Sequence, residues 1–456
     1  MNPQINFKLD VDVIIKKLTL DQNSLKLNQL RMINDLPFVT STAKTDATEI
    51  SSIEAAVFRD VLGISKSKMT DTNEILKGML KQVKTENPSL LEYMLTMVYI
   101  ENGSFKKFHP RMYTFGGSES SGIKNLAKYI VAVLMTPELV DALDVMMKSN
   151  PNSVIEELIL SVIPYEKDSQ KKVIVDRTTL LPEVQKNFSK DFLFLCSNEN
   201  LFINNIDKLL SYYLFFYISQ VILKLRQGFD GDETTVPVYY FLDWEKISRS
   251  RISYEQGWRM IQKKSENIFA YTNLLQILNC TIDGAGIGSF QDIYGLLESL
   301  SNEEIDLFEN DINIINGRIM SALNLDHHMS SHKNIFGKYD YLDTLLQTII
   351  ESKETRKAAF DRYEKRIKDI ADVGFLKPRG QLGSTLNLKQ DWIIFLTRIC
   401  IGHEEKIRLN DLWSKLKKRG INFDQFSKEI IVEYFEKINI LEKKSDSGDA
   451  QYVRVL

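Results

Sequence analysis

Residues 391–420 read DWIIFLTRICIGHEEKIRLNDLWSKLKKRG, and residues 421–456 continue as INFDQFSKEIIVEYFEKINILEKKSDSGDAQYVRVL. Trp392–Ile401 is a strongly apolar helix, and Gly402-His403-Glu404-Glu405 turns the chain. Ile407 and Leu409 enter a short extended piece. Asn410 reads as the N-cap of a second helix, with Asp411 in its first turn. Leu412, Trp413 and Leu416 form the buried side of that helix. Lys415, Lys417, Lys418 and Arg419 gather at its C-terminus, where cations suit the helix dipole, and Gly420 ends it. A third helix is expected from about Phe423 to Asn439, with an apolar stripe of Phe426, Ile430, Ile431, Tyr434, Phe435 and Ile438. Leu441–Lys444 and Gln451–Val455 flank a turn containing Gly448 and read as a hairpin. Three helices followed by a hairpin is the winged-helix order.

Lys415, Lys417, Lys418, Arg419, Lys443, Lys444 and Arg454 are the candidate contacts of this module, whether to DNA phosphates or to a protein partner. Residues 389–456 hold 13 basic and 11 acidic side chains, so any positive surface there is local. The third helix carries Asp424, Glu429, Glu433 and Glu436 against Lys428 and Lys437, which disfavours reading of base sequence. Two readings stay open: a protein-docking winged helix, and non-specific DNA contact through the second helix and the wing.

Working outward, Tyr339–Val373 reads as one long amphipathic helix, with Leu342, Leu345, Leu346, Ile349 and Ile350 on one face and Phe360, Tyr363, Ile367 and Ile370 continuing it. Pro378 and the run Arg379–Ser384 mark a domain boundary. Leu209–Leu225, LLSYYLFFYISQVILKL, is apolar but interrupted by Ser, Tyr, Gln and Lys, and reads as a buried helix rather than a membrane span. Val236–Leu242 is the best strand candidate outside the C-terminus. The expected architecture is mainly α and multi-domain with few short strands: an N-terminal helical domain over 1–190, a central helical domain over 191–378, and a winged helix over 389–456.

The chain has 456 residues, with 58 basic and 61 acidic side chains and a net charge of −3, so it lacks the overall basic excess of a protein that wraps nucleic acid. Cys196, Cys280 and Cys400 are too far apart for a CxxC motif and read as reduced thiols. The start of the chain shows no basic segment followed by an apolar run, and a cytoplasmic location is the expectation.

Catalytic motifs are weak. The loop Thr114–Gly122 lacks the P-loop pattern, and Gly284–Ser289 departs from GxGxxG because position 289 is Ser. Both read as turns before helices. Asp326–His332 gathers three of the five histidines, but adjacent imidazoles point apart, and an exposed loop is expected rather than a metal site. Asp243 and Glu245 follow the Val236–Leu242 strand. Two carboxylates there could hold a divalent cation for a nuclease, or form a capped loop stabilised by Arg249 and Arg251. The expectation is a protein without catalytic residues, metal or cofactor, with the metal-dependent nuclease as the alternative.

The strings YYLFFYISQVIL at 212–223, VPVYYFLDWEKIS at 236–248, SYEQGW at 253–258 and LEKKSDSGDAQYVRVL at 441–456 together resemble the DptG (DndG) family of phosphorothioation-dependent restriction proteins. The resemblance covers the central and C-terminal parts, about half the chain. It implies a non-catalytic subunit of a bacterial defence complex that acts on DNA lacking phosphorothioate marks. It also implies DptF-like and DptH-like partners that supply the nucleotide-driven motor. No catalytic residue carries over from it.

Overall fold

The computed structural model describes the chain apart from residues 1–6, 19–29, 31, 33, 39–45, 66–71, 102–103, 164, 166, 168–178, 233, 283–287, 326–333, 444–450 and 456. It is mainly helical, as the sequence leads one to expect. The N-terminal third contributes α1 (Val11–Lys17), α2 (Ile50–Leu62), α3 (Thr72–Gln82), α4 (Pro88–Tyr99), a small hairpin of β1 (Ile100–Glu101) and β2 (Ser104–Phe105), α5 (Ser121–Leu134), α6 (Pro137–Met147) and α7 (Val154–Val162). Then come α8 (Pro182–Cys196) and the 27-residue α9 (Glu199–Leu225).

β3 (Val238–Tyr239) and β4 (Phe241–Leu242) lead into α10 (Ile252–Glu255), α11 (Trp258–Ser265), α12 (Ile268–Leu278), α13 (Phe290–Leu297), α14 (Asn302–Leu323), α15 (Asp340–Glu351) and α16 (Lys353–Ala371). A hairpin of β5 (Leu376–Pro378) and β6 (Ser384–Leu388) connects to α17 (Gln390–Ile401), β7 (Lys406–Arg408), α18 (Leu409–Lys418), β8 (Ile421–Asn422), α19 (Gln425–Lys437), β9 (Leu441–Lys443) and β10 (Gln451–Arg454).

Helix α9 is the axis of the molecule. It is long and apolar enough to cross a membrane by composition, but 83% of its most apolar window is buried inside the protein. From Leu209 to Leu225 only Ser211 escapes full burial, so aromatic residues can face every direction without cost. Tyr212 packs on Phe216, Phe375 and Trp392, and Phe215 stacks on Phe375 at 5.1 Å. One apolar core thus runs from Phe7 through α9 to Val453. A small satellite core joins Ile75, Met79, Leu95, Phe105, Met112 and Ile159.

The C-terminal module is a winged helix. α17, α18 and α19 surround a three-stranded antiparallel sheet in the order β7-β10-β9, with Val453 opposite both Ile407 and Leu441. Several local expectations are corrected. The stretch 339–373 is two helices, α15 and α16, that meet at Ser352 and kink at Arg356, the residue with non-helical dihedrals. Ser352 keeps a helical backbone, and its hydroxyl turns back to the Ile349 carbonyl at 2.5 Å. Asn410 lies inside α18, not at its cap; Arg408 holds that place. Phe426 is 49% exposed, so it is not part of the buried stripe of α19.

Neither expected boundary is a gap in the fold. α8 runs without interruption through residue 190. The 379–384 run is a 3-10 turn closing the β5–β6 hairpin, whose Leu386 and Leu388 are buried. The expected strand 236–242 becomes two short pieces serving two sheets: β3 pairs in parallel with β8 of the winged helix, and β4 pairs in parallel with β6. The winged helix is therefore joined to the rest by a shared sheet as well as by side chains.

Candidate winged-helix interface

The seven candidate cations meet different fates. Arg419 is buried and its guanidinium grips the Asp191 carboxylate of α8, with Nε 2.8 Å from Oδ2 and Nη2 on Oδ1. The Tyr213 hydroxyl donates to the same carboxylate at 2.6 Å, and the Tyr212 hydroxyl donates to the Arg419 carbonyl. Arg419 is thus part of the internal bond between module and core, a correction to its reading as a surface contact.

Lys415 pairs with Glu404 at 2.9 Å, and Lys443 pairs with Glu436 at 2.5 Å. Arg454 donates to the Asn439 carbonyl at 2.8 and 3.0 Å. Lys417 and Lys418 are exposed and, among the described residues, make no ion pair; their backbone carbonyls accept from Thr235 and Asn187. Lys444 lies outside the described residues. The structure therefore does not assemble the seven into one free basic face.

The N-terminus of α19, which in a helix-turn-helix protein meets base edges, is tethered through Asp424 and Ser427, while Gln425 and Phe426 stay exposed. Asp424 caps the helix by accepting from the Ser427 amide at 3.0 Å. Arg251, at the foot of α10, donates to both Asp424 oxygens, to the Ser427 hydroxyl at 2.7 Å, and lies 3.1 Å from Glu245. Its guanidinium also sits 4.8 Å from the ring centres of both Phe241 and Phe426. Burial would raise the Asp424 carboxyl, but its bonds from Arg251 and the Ser427 amide hold it below the usual carboxylate range. Trp244 packs on Tyr434 at 5.5 Å one face further along.

Asp243 and Glu245 have structural employment. Glu245 has no side-chain exposure; it accepts from the Leu242 amide at 2.7 Å and from the Ser427 hydroxyl at 3.0 Å. Burial nevertheless leaves its carboxyl raised above the ordinary value. Asp243 pairs with Lys377 at 3.2 Å. Of the two arginines expected to hold this loop, Arg251 does so, whereas Arg249 donates to the Gln381 carbonyl. Among the described residues no group of three or more His, Cys, Asp or Glu is placed to hold a metal ion.

The remaining reactive types are also engaged. Burial pushes the Cys196 thiol up to about 12 and Cys400 up to about 11, so neither is a thiolate near neutrality. His109 is fully buried, accepting from the Arg111 amide and facing Ser149. His403 packs edge-on to Phe194 at 5.1 Å. His327, His328 and His332 lie outside the described residues. The Thr114–Gly122 loop ends in Ser120, which caps α5, and Ser289 with Asp292 forms a capping box on α13; residues 283–287 of that turn lie outside the described set.

A surface groove of about 660 Å³ runs between the α8–α9 corner and the winged helix, past Asn198, Asn205, Arg398 and His403. Its polar groups are used locally: Asn198 caps α9, Asn205 donates to the Leu201 carbonyl, and Arg398 donates to the Gly402 carbonyl.

Signals for this arrangement existed in the sequence. Leu409, Leu412, Leu416 and Arg419 recur at helical spacing, which puts Arg419 on the buried side of α18. Asp191 and the Arg251–Asp424 pairing gave no such sign, because their partners are distant in the chain. No protein-family model matches this chain, and no curated protein matches it either.

Proposed function

We propose that this chain is a non-catalytic, cytoplasmic subunit of a bacterial phosphorothioation-dependent restriction complex. It bridges DptF-like and DptH-like motor partners and touches double-stranded DNA lacking phosphorothioate marks only weakly. The observation that supports the docking reading is the Arg251 clamp, which ties Asp424 and Ser427 at the start of α19, the end that meets base edges in a helix-turn-helix protein, to the rest of the chain. Among the described candidates, Arg419 is buried against Asp191 and Lys415 and Lys443 are paired at the surface, which leaves Lys417 and Lys418 as the unpaired cations for phosphate. The restriction setting and the named partners rest on the sequence resemblance alone.

The test is co-purification of the tagged full chain with DptF-like and DptH-like proteins, alongside a plasmid assay with Mg²⁺ or Mn²⁺. The expected result is stable co-elution and no cleavage by the isolated chain. Cleavage by the isolated chain that Asp243→Ala abolishes, or failure to bind either partner, would overturn it.

A further inference from the structure

Helix α4 carries an apolar face that nothing among the described residues covers. Leu90, Tyr93, Met94, Met97 and Val98 are 53%, 62%, 56%, 64% and 55% exposed. Their spacing, i, i+3, i+4, i+7 and i+8, places them in one stripe along the helix. The opposite flank fixes α4 in position: Leu95 is buried in the satellite core, and Leu91 and Tyr99 pack against it. Asn87 caps the helix through the Leu90 amide at 3.1 Å, and Pro88 opens the first turn. The stripe is thus a fixed surface. Isolated exposed apolar residues are ordinary, but five on one short helix form a contiguous patch of the kind that marks an interaction site.

We propose that this face joins two copies of the chain in a symmetric dimer, with α4 laid antiparallel on α4 about a twofold axis near Met94. An isologous contact requires a self-complementary surface. The stripe meets that need: Met94 lies at its midpoint, so Leu90 of one copy faces Val98 of the other. It contains no charge, so two copies do not repel. The helix's one charged residue, Glu92, lies away from the stripe, about 160° around from Leu90 at 100° per residue.

The five side chains leave on the order of 500 Å² exposed per copy, or about 1,000 Å² for a pair when all of it is covered, which is the lower bound for a specific interface. Met94 and Met97 can adapt to one another across the axis, and Tyr93 contributes a large ring at low entropic cost. The proposal does not depend on the restriction reading.

The test is sedimentation equilibrium of the full chain at micromolar concentration. The expected mass is twice 52.7 kDa. Met94→Glu with Met97→Glu, both at exposed positions, is expected to weaken dimerisation roughly a hundredfold or more. The same is expected of Met94→Lys with Met97→Lys. Mixing the two variants is expected to restore the dimer through opposite charges, which separates a lost contact from a lost fold. A wild-type mass of one chain throughout, a dimer unaffected by either variant, or two monomeric variants that do not pair on mixing would each overturn the proposal.

Discussion

Replacing Arg419 with Met tests whether the winged helix is part of the core. The Asp191 carboxylate is 2% exposed and accepts from Arg419 Nε, Arg419 Nη2 and the Tyr213 hydroxyl. Arg419→Met removes two charge-assisted bonds and strands a buried carboxylate with one neutral donor. Breaking one side of a buried pair costs about 3–5 kcal/mol, whereas replacing both sides with apolar groups is often close to neutral. Arg419→Met and Asp191→Leu therefore differ in what they leave behind. The first leaves a buried anion, the second a buried cation, and the double variant leaves neither.

Urea unfolding, followed by tryptophan fluorescence, gives the three stabilities and closes a double-mutant cycle. The expected outcome is a loss of about 3–5 kcal/mol for each single variant and recovery of most of it in the double. A single-variant cost under about 0.5 kcal/mol, the range of ordinary surface changes, would refute the burial argument.

Gly420 has φ +76, and a Cβ there would stand 2.2 Å from Phe216 Cε2. Gly420→Ala is expected to lower the unfolding free energy by about 1–3 kcal/mol through combined overpacking and backbone strain, measurable in the same urea experiment. Asp35 is buried, with Gln276 as its side-chain partner, and burial raises its carboxyl to about 7. Because the folded value lies above the unfolded one, its contribution is fully present below the unfolded value and is lost as pH rises through about 7. Asp35→Asn is expected to flatten the fall in thermal midpoint between about pH 4 and about pH 7. Arg251→Met is expected to cost about 3–5 kcal/mol by stranding buried Glu245, and to speed amide exchange in the first turn of α19 relative to α17; equal exchange in both variants would count against the clamp.

The legible parts of the fold were those with local causes. α17–α19 and the hairpin could be read because apolar spacing, a C-terminal glycine and a Gly-containing turn all agreed. α9 could be read because from Leu209 to Leu225 its polar groups are few: hydroxyls, the Gln220 amide and Lys224, which pairs with Asp232. The kink at Arg356 was hidden, since no Gly or Pro marks it and the apolar stripe resumes beyond it. The split of 236–242 into β3 and β4 was hidden as well, because its partners β6 and β8 lie more than a hundred residues away. At the candidate interface, Lys417 and Lys418 are exposed on α18. Arg419 is not: it looked like the fourth member of a basic cluster, and only the helical phase of Leu409, Leu412 and Leu416 pointed inward.

The central claim is that the start of α19 is tied to the core and that, of the described candidate cations, Lys417 and Lys418 are the two left unpaired for DNA. Duplex retention by the full chain, measured against salt concentration on several sequences, tests this most directly. Two phosphate contacts give a slope of about −2 in log affinity against log salt, and non-specific dissociation constants near about 10⁻⁴–10⁻⁶ M are expected, with Lys417→Glu plus Lys418→Glu removing the binding. Nanomolar, sequence-selective retention that survives those two changes and is lost on altering Gln425 or Lys428 would contradict it.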